Sequence, residues 1–342
     1  MTETVAPYPG MAFEAKAATV EDIAYCFRLL LGRAPSAEEW TGHVAHSGQP
    51  LAALVGHYVD SREFAALHRN RALRPPVRTE IDGIVVFSSE DDLAVGRLVA
   101  AGTWEPGVAA TFRRLLRPGM TVLDLGANIG FFTMLAARLV GPIGLVTAVE
   151  PNLGNVRLLE ASRRANGFDH VTVVPCAVAA RPGMLVLESA YSNGITHPVG
   201  ERDFAALTEA VLVPCVPVEA VLPTGRRLDF IKIDIEGAEH VALAGCAEIL
   251  RRDRPIIVTE FSPGLLASNS GVAAIDYLRL LQSLGYALAV IGDDGGASGA
   301  TPEALLAQFE AEDGERIDLL CTPEAIAPRR GWMRPALRRM LG

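Results

Sequence analysis

The chain has 342 residues, half of them hydrophobic, and a formal net charge of −9. This acidic balance argues against a protein that binds nucleic-acid backbones non-specifically, because such binding needs a surplus of Lys and Arg. The first residues carry no basic and apolar stretches typical of a secretory signal, and no stretch approaches the ~18 apolar residues of a membrane span. We therefore expect a cytoplasmic protein with one large domain and a smaller one.

Residues 19–74 carry the pattern of a small all-helical domain. Thr19 is followed by Asp22 at the spacing of a capping box, and apolar residues then recur at helix-face spacing. A second helix is predicted after Ser36. Two prolines at 75 and 76 end this unit, because proline removes a hydrogen-bond donor and restricts the residue before it.

The rest of the chain alternates short apolar runs with helical stretches. Predicted strands cover 122–125, 145–149, 171–174, 230–233, 256–260, 286–291 and 317–321, and predicted helices cover 131–140, 152–166, 238–250 and 275–284. This alternation indicates an α/β fold with a Rossmann-like, doubly wound and mostly parallel sheet. Residues 184–187 and 211–216 interrupt the alternation and predict an extra hairpin over one sheet edge.

These patterns predict a division of the chain into five parts. They are a flexible N-terminus at 1–18, the helical domain at 19–74, a linker at 75–80, the Rossmann-like domain at 81–325 and a basic tail at 326–342.

The strongest motif is a glycine loop at residues 122–130. A buried strand carries Asp124, Gly126 allows a tight turn and a close approach to a ligand, and Gly130 allows the following helix to pack close to the strand. The second strand ends at Glu150, whose carboxylate can accept hydrogen bonds from both hydroxyls of an adenosine ribose. In an open parallel sheet, ligands bind beyond the carboxyl ends of the strands.

The residues of the loop favour one cofactor over another. A dinucleotide wants a Gly-x-Gly-x-x-Gly loop, in which pyrophosphate binds exposed backbone amides, but Asn128 replaces the middle glycine. Asp124 would also place a negative charge beside the phosphates. S-adenosylmethionine instead brings a positive ammonium and sulfonium, so we predict S-adenosylmethionine at this loop.

Several stretches together resemble the FkbM family of methyltransferases. They are residues 102–106, 122–130, 149–152, 166–167 and 229–239, and they occur in the family's order. The resemblance covers about residues 100–325. It implies a class I methyltransferase fold, S-adenosylmethionine as the methyl donor and O-methylation of a hydroxyl on a sugar, glycan or other small molecule.

One position departs from the wider methyltransferase pattern. Ala177 follows the third strand, near the place where many methyltransferases present an acid to adenine. We assign Ala177 to the cofactor site without that acid. The helical unit, through residues 30–35 and 60–64, is similar to a short domain found beside glycan-modifying enzymes.

The predicted acceptor site consists of acidic residues at strand ends. Lys232, Asp234 and Glu236 alternate along one strand and its exit, and Glu260 ends the next strand. Asp234 is the best candidate to contact the acceptor hydroxyl. Lys232 is expected to lie deeper and to neutralise the cluster.

Methyl transfer to oxygen needs a base for the hydroxyl proton. Asp234, Glu236 and His197, which is predicted in a polar loop over the cleft, are the candidates. Alternatively, clustered carboxylates could hold Mg²⁺, which acidifies the hydroxyl; we do not favour it. The five cysteines are scattered without a Cys-x-x-Cys pair, so no zinc site, disulfide or other metal ligand is predicted.

Three alternatives stay open. An NAD-dependent sugar-modifying enzyme conflicts with Asn128, and a non-catalytic binding module conflicts with the intact Asp124, Glu150 and Asp234. Nucleic-acid methylation conflicts with the acidic charge. The tail carries five arginines and no acid; it is expected to be solvated, with docking on an anionic membrane as the other interpretation.

Overall fold

The computed structural model describes residues 17–64, 75–102, 104–190, 192–198, 211–311 and 316–324. The chain divides into two compact units, Met1–Pro75 and Pro76–Gly342. The predicted basic tail, most of the predicted flexible N-terminus and the end of the helical domain lie outside the described residues. Within the described ranges, no helix is both long and apolar enough to cross a bilayer.

The described residues of the smaller unit form short helices. Its helices are α1 (Val20–Tyr25), α2 (Ala37–His43) and α3 (Leu51–Val59), with a π-helical turn at Cys26–Leu30 and a 3-10 turn at Val44–His46.

Side-chain caps start the first two helices. The hydroxyls of Thr19 and Ser36 each accept the N–H three residues further on, and the carboxylates of Asp22 and Glu39 accept the N–H of the two capping residues. Both capping boxes are therefore present. The core of this unit is small, and its most buried members are Ile23, Phe27, Leu54 and Tyr58.

The larger unit is α/β. Its strands are β1 (Val77–Ile81), β2 (Ile84–Ser88), β3 (Thr121–Leu125), β4 (Leu145–Val149), β5 (Val171–Val174), β6 (Ala177–Val178), β7 (Gly183–Ala190), β8 (Asn193–Pro198), β9 (Val211–Val216), β10 (Phe230–Ile233), β11 (Ile256–Phe261), β12 (Tyr286–Ile291), β13 (Ala297–Gly299) and β14 (Ile317–Pro323). Its helices are α4 (Val95–Ala100), α5 (Pro106–Leu115), α6 (Phe131–Val140), α7 (Leu153–Asn166), α8 (Glu239–Gly245), α9 (Ala247–Asp253), α10 (Pro263–Leu265), α11 (Ala274–Ser283) and α12 (Pro302–Ala311).

Eight strands form the main sheet, in the order β13-β12-β14-β11-β10-β3-β4-β5. Strands β5, β4, β3, β10 and β11 run parallel, while β14 pairs antiparallel with both β11 and β12. The chain builds outward from β3 to β5 and then returns to place β10 on the other side of β3. The predicted doubly wound sheet is confirmed, and its switch point lies between β3 and β10.

Apolar residues cover both faces of this sheet. Along β3, Val122 belongs to the core on one face, whereas Leu123 and Leu125 belong to the core on the other. The period of two explains this division. Strands buried on both faces read as continuous apolar runs, which is why the sequence showed them clearly.

Three local predictions were wrong. Residues 77–80, expected in a linker, belong to β1, which pairs with β2; β2 in turn bonds through Val85 to the side chain of Asn166. The predicted single helix 238–250 is two helices that meet at Cys246, just after Gly245, a residue of low helix propensity. The predicted polar loop with His197 is strand β8, in a four-stranded sheet of order β6-β9-β7-β8.

Candidate active site

A cleft opens at the carboxyl ends of β3, β4 and β10. Among the residues predicted for the site, eight line it: Gly126, Asn128, Gly130, Glu150, Ala177, Lys232, Asp234 and Glu236. The other three predicted residues, Asp124, His197 and Glu260, do not line the cleft. The location agrees with the switch point of the sheet.

The backbone amides of the glycine loop are all occupied. The N–H groups of Gly126 and Ala127 both donate to the Val149 carbonyl, at 3.0 and 3.1 Å. The Asn128 N–H donates to the Glu150 carboxylate, and the Ile129 N–H donates to the side-chain oxygen of Asn128. The Gly130 N–H donates to the Ala127 carbonyl. A pyrophosphate needs amides that are not already used. The loop geometry therefore argues against a dinucleotide.

Close backbone packing explains two of the glycines. A Cβ on Gly126 would lie 1.7 Å from the carbonyl oxygen of Asp234, and a Cβ on Gly130 would lie 2.1 Å from Cδ1 of Leu159. Both residues also have left-handed φ angles, +79° and +93°. Gly130 thus allows the start of α6 to approach helix α7. The predicted reason for this glycine, a close approach of the helix to the strand, was wrong.

Glu150 lies just after β4 with its carboxylate against the loop. It accepts N–H bonds from Asn128 at 2.9 Å and Asn152 at 2.8 Å, and a longer one from the Asn155 amide at 3.3 Å. Burial raises the pKa of Glu150 to about 7, although these hydrogen bonds act in the opposite direction. The side chain borders the cleft and is fixed in orientation, as a ribose acceptor must be.

Asp124 is buried behind the cleft. One carboxylate oxygen accepts the Thr133 hydroxyl at 2.6 Å, and the other has no hydrogen-bond partner. Burial raises its pKa, against the opposing effect of Lys232. The structure therefore does not place Asp124 on the cleft wall, and it acts on the site through its charge and its contact with helix α6.

Lys232 and Asp234 form a buried ion pair at the end of β10. The Lys232 ammonium donates to the Asp234 carboxylate at 2.9 Å and lies 5.0 Å from the centroid of the Phe132 ring. Burial lowers the pKa of Lys232, but the carboxylates of Asp234, Asp124 and Glu105 outweigh burial and raise it overall. The side chain of Asp234 is 23% exposed against 6% for Lys232, so the carboxylate is the more accessible member of the pair.

The loop after Asp234 is held by hydrogen bonds. Glu236 adopts a left-handed φ of +54°, so the alternation expected from a strand ends there. The Glu239 carboxylate accepts the N–H groups of Ile235 and Gly237, both at 3.1 Å. Burial raises the pKa of Glu239 to about 7. Burial and, to a lesser extent, the negative charge of Asp234 raise the pKa of Glu236.

Glu260 belongs to an acidic group beside the cleft that the sequence analysis saw only in part. Its carboxylate accepts a bond from Arg316 at 2.7 Å, and Arg316 also lies 3.6 Å from Glu105. Asp318, on the neighbouring strand, is paired in register with Glu260. Burial raises the pKa of all three carboxyls.

Of the residues that sequence reasoning missed, only Glu105 had a signal. It lies in the stretch 102–106 that carries the family resemblance, although no role was assigned to it. Arg316 precedes a late strand without any motif, so only the folded sheet shows that it joins Glu105 and Glu260.

His197 faces away from the cleft. Its ring pairs with Glu188 on the adjacent strand at 3.0 Å, and its side chain is 37% exposed. Thr196, the residue before it, lines the cleft, and successive residues of a strand point to opposite faces. The prediction that His197 contacts the acceptor is not supported.

Comparison with known families assigns the central part of the chain. Residues 124–288 match the family model described as the methyltransferase FkbM domain. This segment is therefore similar to FkbM methyltransferase domains. The match contains the glycine loop, Glu150 and the strand that carries Asp234, and it confirms the predicted cofactor, S-adenosylmethionine.

Several solved methyltransferase structures are also similar to this chain. A methyltransferase FkbM from Methylobacillus flagellatus KT is 17% identical over 61% of this chain and 49% of that one, with a TM-score of 0.38. An S-adenosylmethionine-dependent O-methyltransferase from Thermotoga maritima is 14% identical over 65% of each chain, with a TM-score of 0.37. A precorrin-6y C5,15-methyltransferase from Geobacter metallireducens GS-15 is 12% identical over 70% of this chain and 94% of that one, also at 0.37. The present chain spans about half the length of the Methylobacillus protein.

The lining of the cleft differs from that of a phosphate-binding site. Glu150 and Asp234 both place carboxyl groups at the cleft, and the N–H groups of the glycine loop already donate within the protein. The aromatic rings of Trp104, Phe131 and Phe132 line the same space. A positively charged, partly apolar ligand without phosphates suits this lining.

Proposed function

We propose that this protein is an S-adenosylmethionine-dependent methyltransferase that methylates a hydroxyl oxygen of a sugar, a glycan or another small molecule. The position of Asp234 carries the proposal. Its backbone carbonyl packs against Gly126 of the glycine loop, and its carboxylate borders the cleft. A proton acceptor thus lies next to the cofactor loop.

The residues around Asp234 have distinct roles in this proposal. When bound, the cofactor would supply an electrophilic methyl group to the acceptor oxygen. Asp234 accepts the hydrogen bond of the attacking hydroxyl and takes its proton. Lys232, fixed over the Phe132 ring, holds the Asp234 carboxylate in one orientation.

The acidic wall supports an acceptor with several hydroxyls. Glu236 lines the cleft near Asp234, and Glu105, Glu260 and Asp318 lie beside it around Arg316. Carboxylates accept hydrogen bonds from hydroxyl groups, as a sugar would offer. The same charges repel a polyphosphate backbone, which supports a neutral acceptor over a nucleic acid.

The arrangement supports a protein base over Mg²⁺. Asp234 is paired with Lys232, and Glu260 with Arg316, so protein cations already neutralise two of these carboxylates. In the described part of the chain, the acidic residues at the cleft do not bring three ligand atoms within 4.8 Å of one another. We also propose a cytoplasmic location, which the five buried free thiols support because they suit a reducing compartment.

A methyl-transfer screen tests the proposal. The full chain would be incubated with methyl-labelled S-adenosylmethionine and free sugars, oligosaccharides, amines or RNA. We expect release of S-adenosylhomocysteine only with hydroxyl acceptors, and mass spectrometry should locate the label as a methyl ether. Transfer to nitrogen or carbon alone would contradict the O-methyltransferase assignment, and transfer to RNA alone would contradict a sugar, glycan or small-molecule acceptor.

A further inference from the structure

Three imidazoles meet in the helical unit, outside the methyltransferase domain. His43 ends helix α2, His46 ends the following 3-10 turn, and His57 lies on helix α3. One ring nitrogen from each lies within 4.8 Å of those from the other two. The His46 and His57 ring centroids are 4.6 Å apart, and His43 is 5.7 Å from each.

The backbone of the unit brings the three rings together. After the 3-10 turn, a short connection reverses the chain into helix α3. Ala18 holds this connection at two points, by donating to the Gln49 carbonyl at 2.6 Å and accepting from the Gly48 N–H at 2.8 Å. These two backbone hydrogen bonds fix the position of the turn relative to helix α3, and so they fix the side chains of both.

Packing and a hydrogen bond orient His43. The Phe27 ring packs edge-on against it at 4.9 Å, and the Tyr58 hydroxyl bonds to its Nδ1 atom at 2.8 Å. Metal-binding histidines usually use one ring nitrogen for a hydrogen bond of this kind and the other for the metal. Nε2 of His43 is thus the available ligand atom.

No carboxylate competes with a metal ion for these rings. In the described ranges, none of the three imidazoles forms an ion pair with Asp or Glu.

We propose that His43, His46 and His57 bind one divalent transition-metal ion of the zinc class. Imidazole nitrogen suits Zn²⁺, Ni²⁺ and Cu²⁺, whereas Mg²⁺ and Ca²⁺ prefer oxygen. Zn–N bonds of about 2.0–2.1 Å at tetrahedral angles place ligand nitrogens about 3.4 Å apart. Small rotations of the His46 and His57 side chains, of which His57 is exposed, would close the remaining gap, and a water would complete the coordination.

The ion would act as a staple for a small fold. The core of this unit contains few buried residues, and small domains often rely on a metal to hold their elements together. A shared ion ties the end of α2 to the last turn of α3. The alternative is a cluster of packed histidine rings that binds no metal. A metal site and such a cluster differ in whether Zn²⁺ binds and slows hydrogen exchange in the helical unit.

Calorimetric titration of the chelator-treated full chain with Zn²⁺ tests the site. We expect one equivalent to bind, and Mg²⁺ to give no response. His46→Gln and His57→Gln, which remove ligands outside the buried core, should each weaken Zn²⁺ binding at least tenfold. His240→Gln, on helix α8 of the other unit, is the matched control and should bind like the wild type.

Hydrogen exchange gives a local readout of the same site. Zn²⁺ should slow amide exchange in α3 of the wild-type chain and leave His57→Gln unaffected. Absence of Zn²⁺ binding, or binding that both ligand variants retain at full strength, would overturn the proposal. A signal that His240→Gln loses would do the same, because it would place the ion elsewhere.

Discussion

At the scale of single residues, Asp234 is the side chain on which the proposed chemistry depends. It combines a cleft-facing carboxylate, a buried cationic partner in Lys232 and backbone contact with Gly126. Asp234→Asn keeps the size and the hydrogen-bonding capacity but removes the base. We expect turnover to fall ~10²-fold or more, while the affinity for S-adenosylhomocysteine stays nearly unchanged.

The control for this variant is Asp276→Asn, an exposed aspartate in the first turn of α11. Turnover of that variant should equal the wild type. A chelator distinguishes a protein base from a metal-assisted mechanism. If Asp234 is the base, the chelator should leave wild-type turnover unchanged. If Mg²⁺ acidifies the hydroxyl, the chelator should abolish turnover and added Mg²⁺ should restore it. Normal turnover of Asp234→Asn that is insensitive to chelator would exclude both roles and point to Glu236 or Glu260.

Glu150 tests the cofactor end of the cleft. Glu150→Ala removes the acceptor for the ribose hydroxyls and for the N–H groups of Asn128 and Asn152. A lost hydrogen bond to a charged group is worth roughly 1.5–3 kcal/mol, so S-adenosylhomocysteine should bind about 10- to 100-fold more weakly by calorimetry. Glu150→Gln keeps one acceptor oxygen and should lose less. Equal affinity in all three proteins would mean that Glu150 does not contact the ribose.

At the scale of elements, Gly126 decides how closely the ends of β3 and β10 approach. Gly126→Ala and Gly141→Ala both place an alanine at a left-handed φ, +79° and +65°, but only the first meets an atom, the Asp234 carbonyl oxygen. Overpacking costs about 1–3 kcal/mol, so Gly126→Ala should lose that much more unfolding free energy in urea than Gly141→Ala. It should also weaken cofactor binding. Equal losses would show that the strand ends separate without penalty.

The elements that the sequence predicted are those with a strong local signal. The strands of the main sheet are continuous apolar runs, and the loop from Gly126 to Gly130 combines a turn with a helix start. Strand β8 was missed because its residues are mostly polar and half-buried, so they lack a clear alternation. His197 was misplaced for the same reason.

The parts of the site that sequence reasoning missed depend on contacts between distant segments. Arg316 and Glu105 lie 3.6 Å apart although more than two hundred positions separate them, and no spacing rule relates them. The histidine cluster is closer in sequence, at positions 43, 46 and 57. These three histidines follow no fixed metal-binding motif, so only the folded helical unit shows that their rings meet.

At the scale of the whole molecule, buried carboxyls link stability to pH. Burial raises the pKa of Glu150 and of Glu239 from 4.5 to about 7, so the native state keeps protons that the unfolded chain releases. The unfolding free energy should therefore fall as pH rises from about 4.5 to about 7, by up to roughly 1.4 kcal/mol per pH unit for each group.

Replacing either carboxyl by a neutral amide isolates this effect. Glu150→Gln and Glu239→Gln have no titrating proton at the changed position. Each variant should therefore lose less unfolding free energy than the wild type as pH rises from about 4.5, the unfolded pKa, to about 7, the folded pKa. Urea unfolding of the three proteins at several pH values measures the slopes. A wild-type slope no steeper than that of either variant would show that these carboxyls are ionised throughout.

The division into two units predicts that the larger one works alone. The buried residues of its core clusters all come from Ile84 onward, and its first strand begins at Val77. A chain shortened to begin at Pro76, which keeps the whole of β1, should fold and bind S-adenosylhomocysteine within roughly twofold of the full protein, the 0.3–0.5 kcal/mol typical of independent sites. Calorimetry with the shortened and full chains makes the comparison. If the shortened chain is insoluble, or binds much more weakly, the helical unit contributes to the catalytic fold and the boundary at Pro75 does not separate independent units.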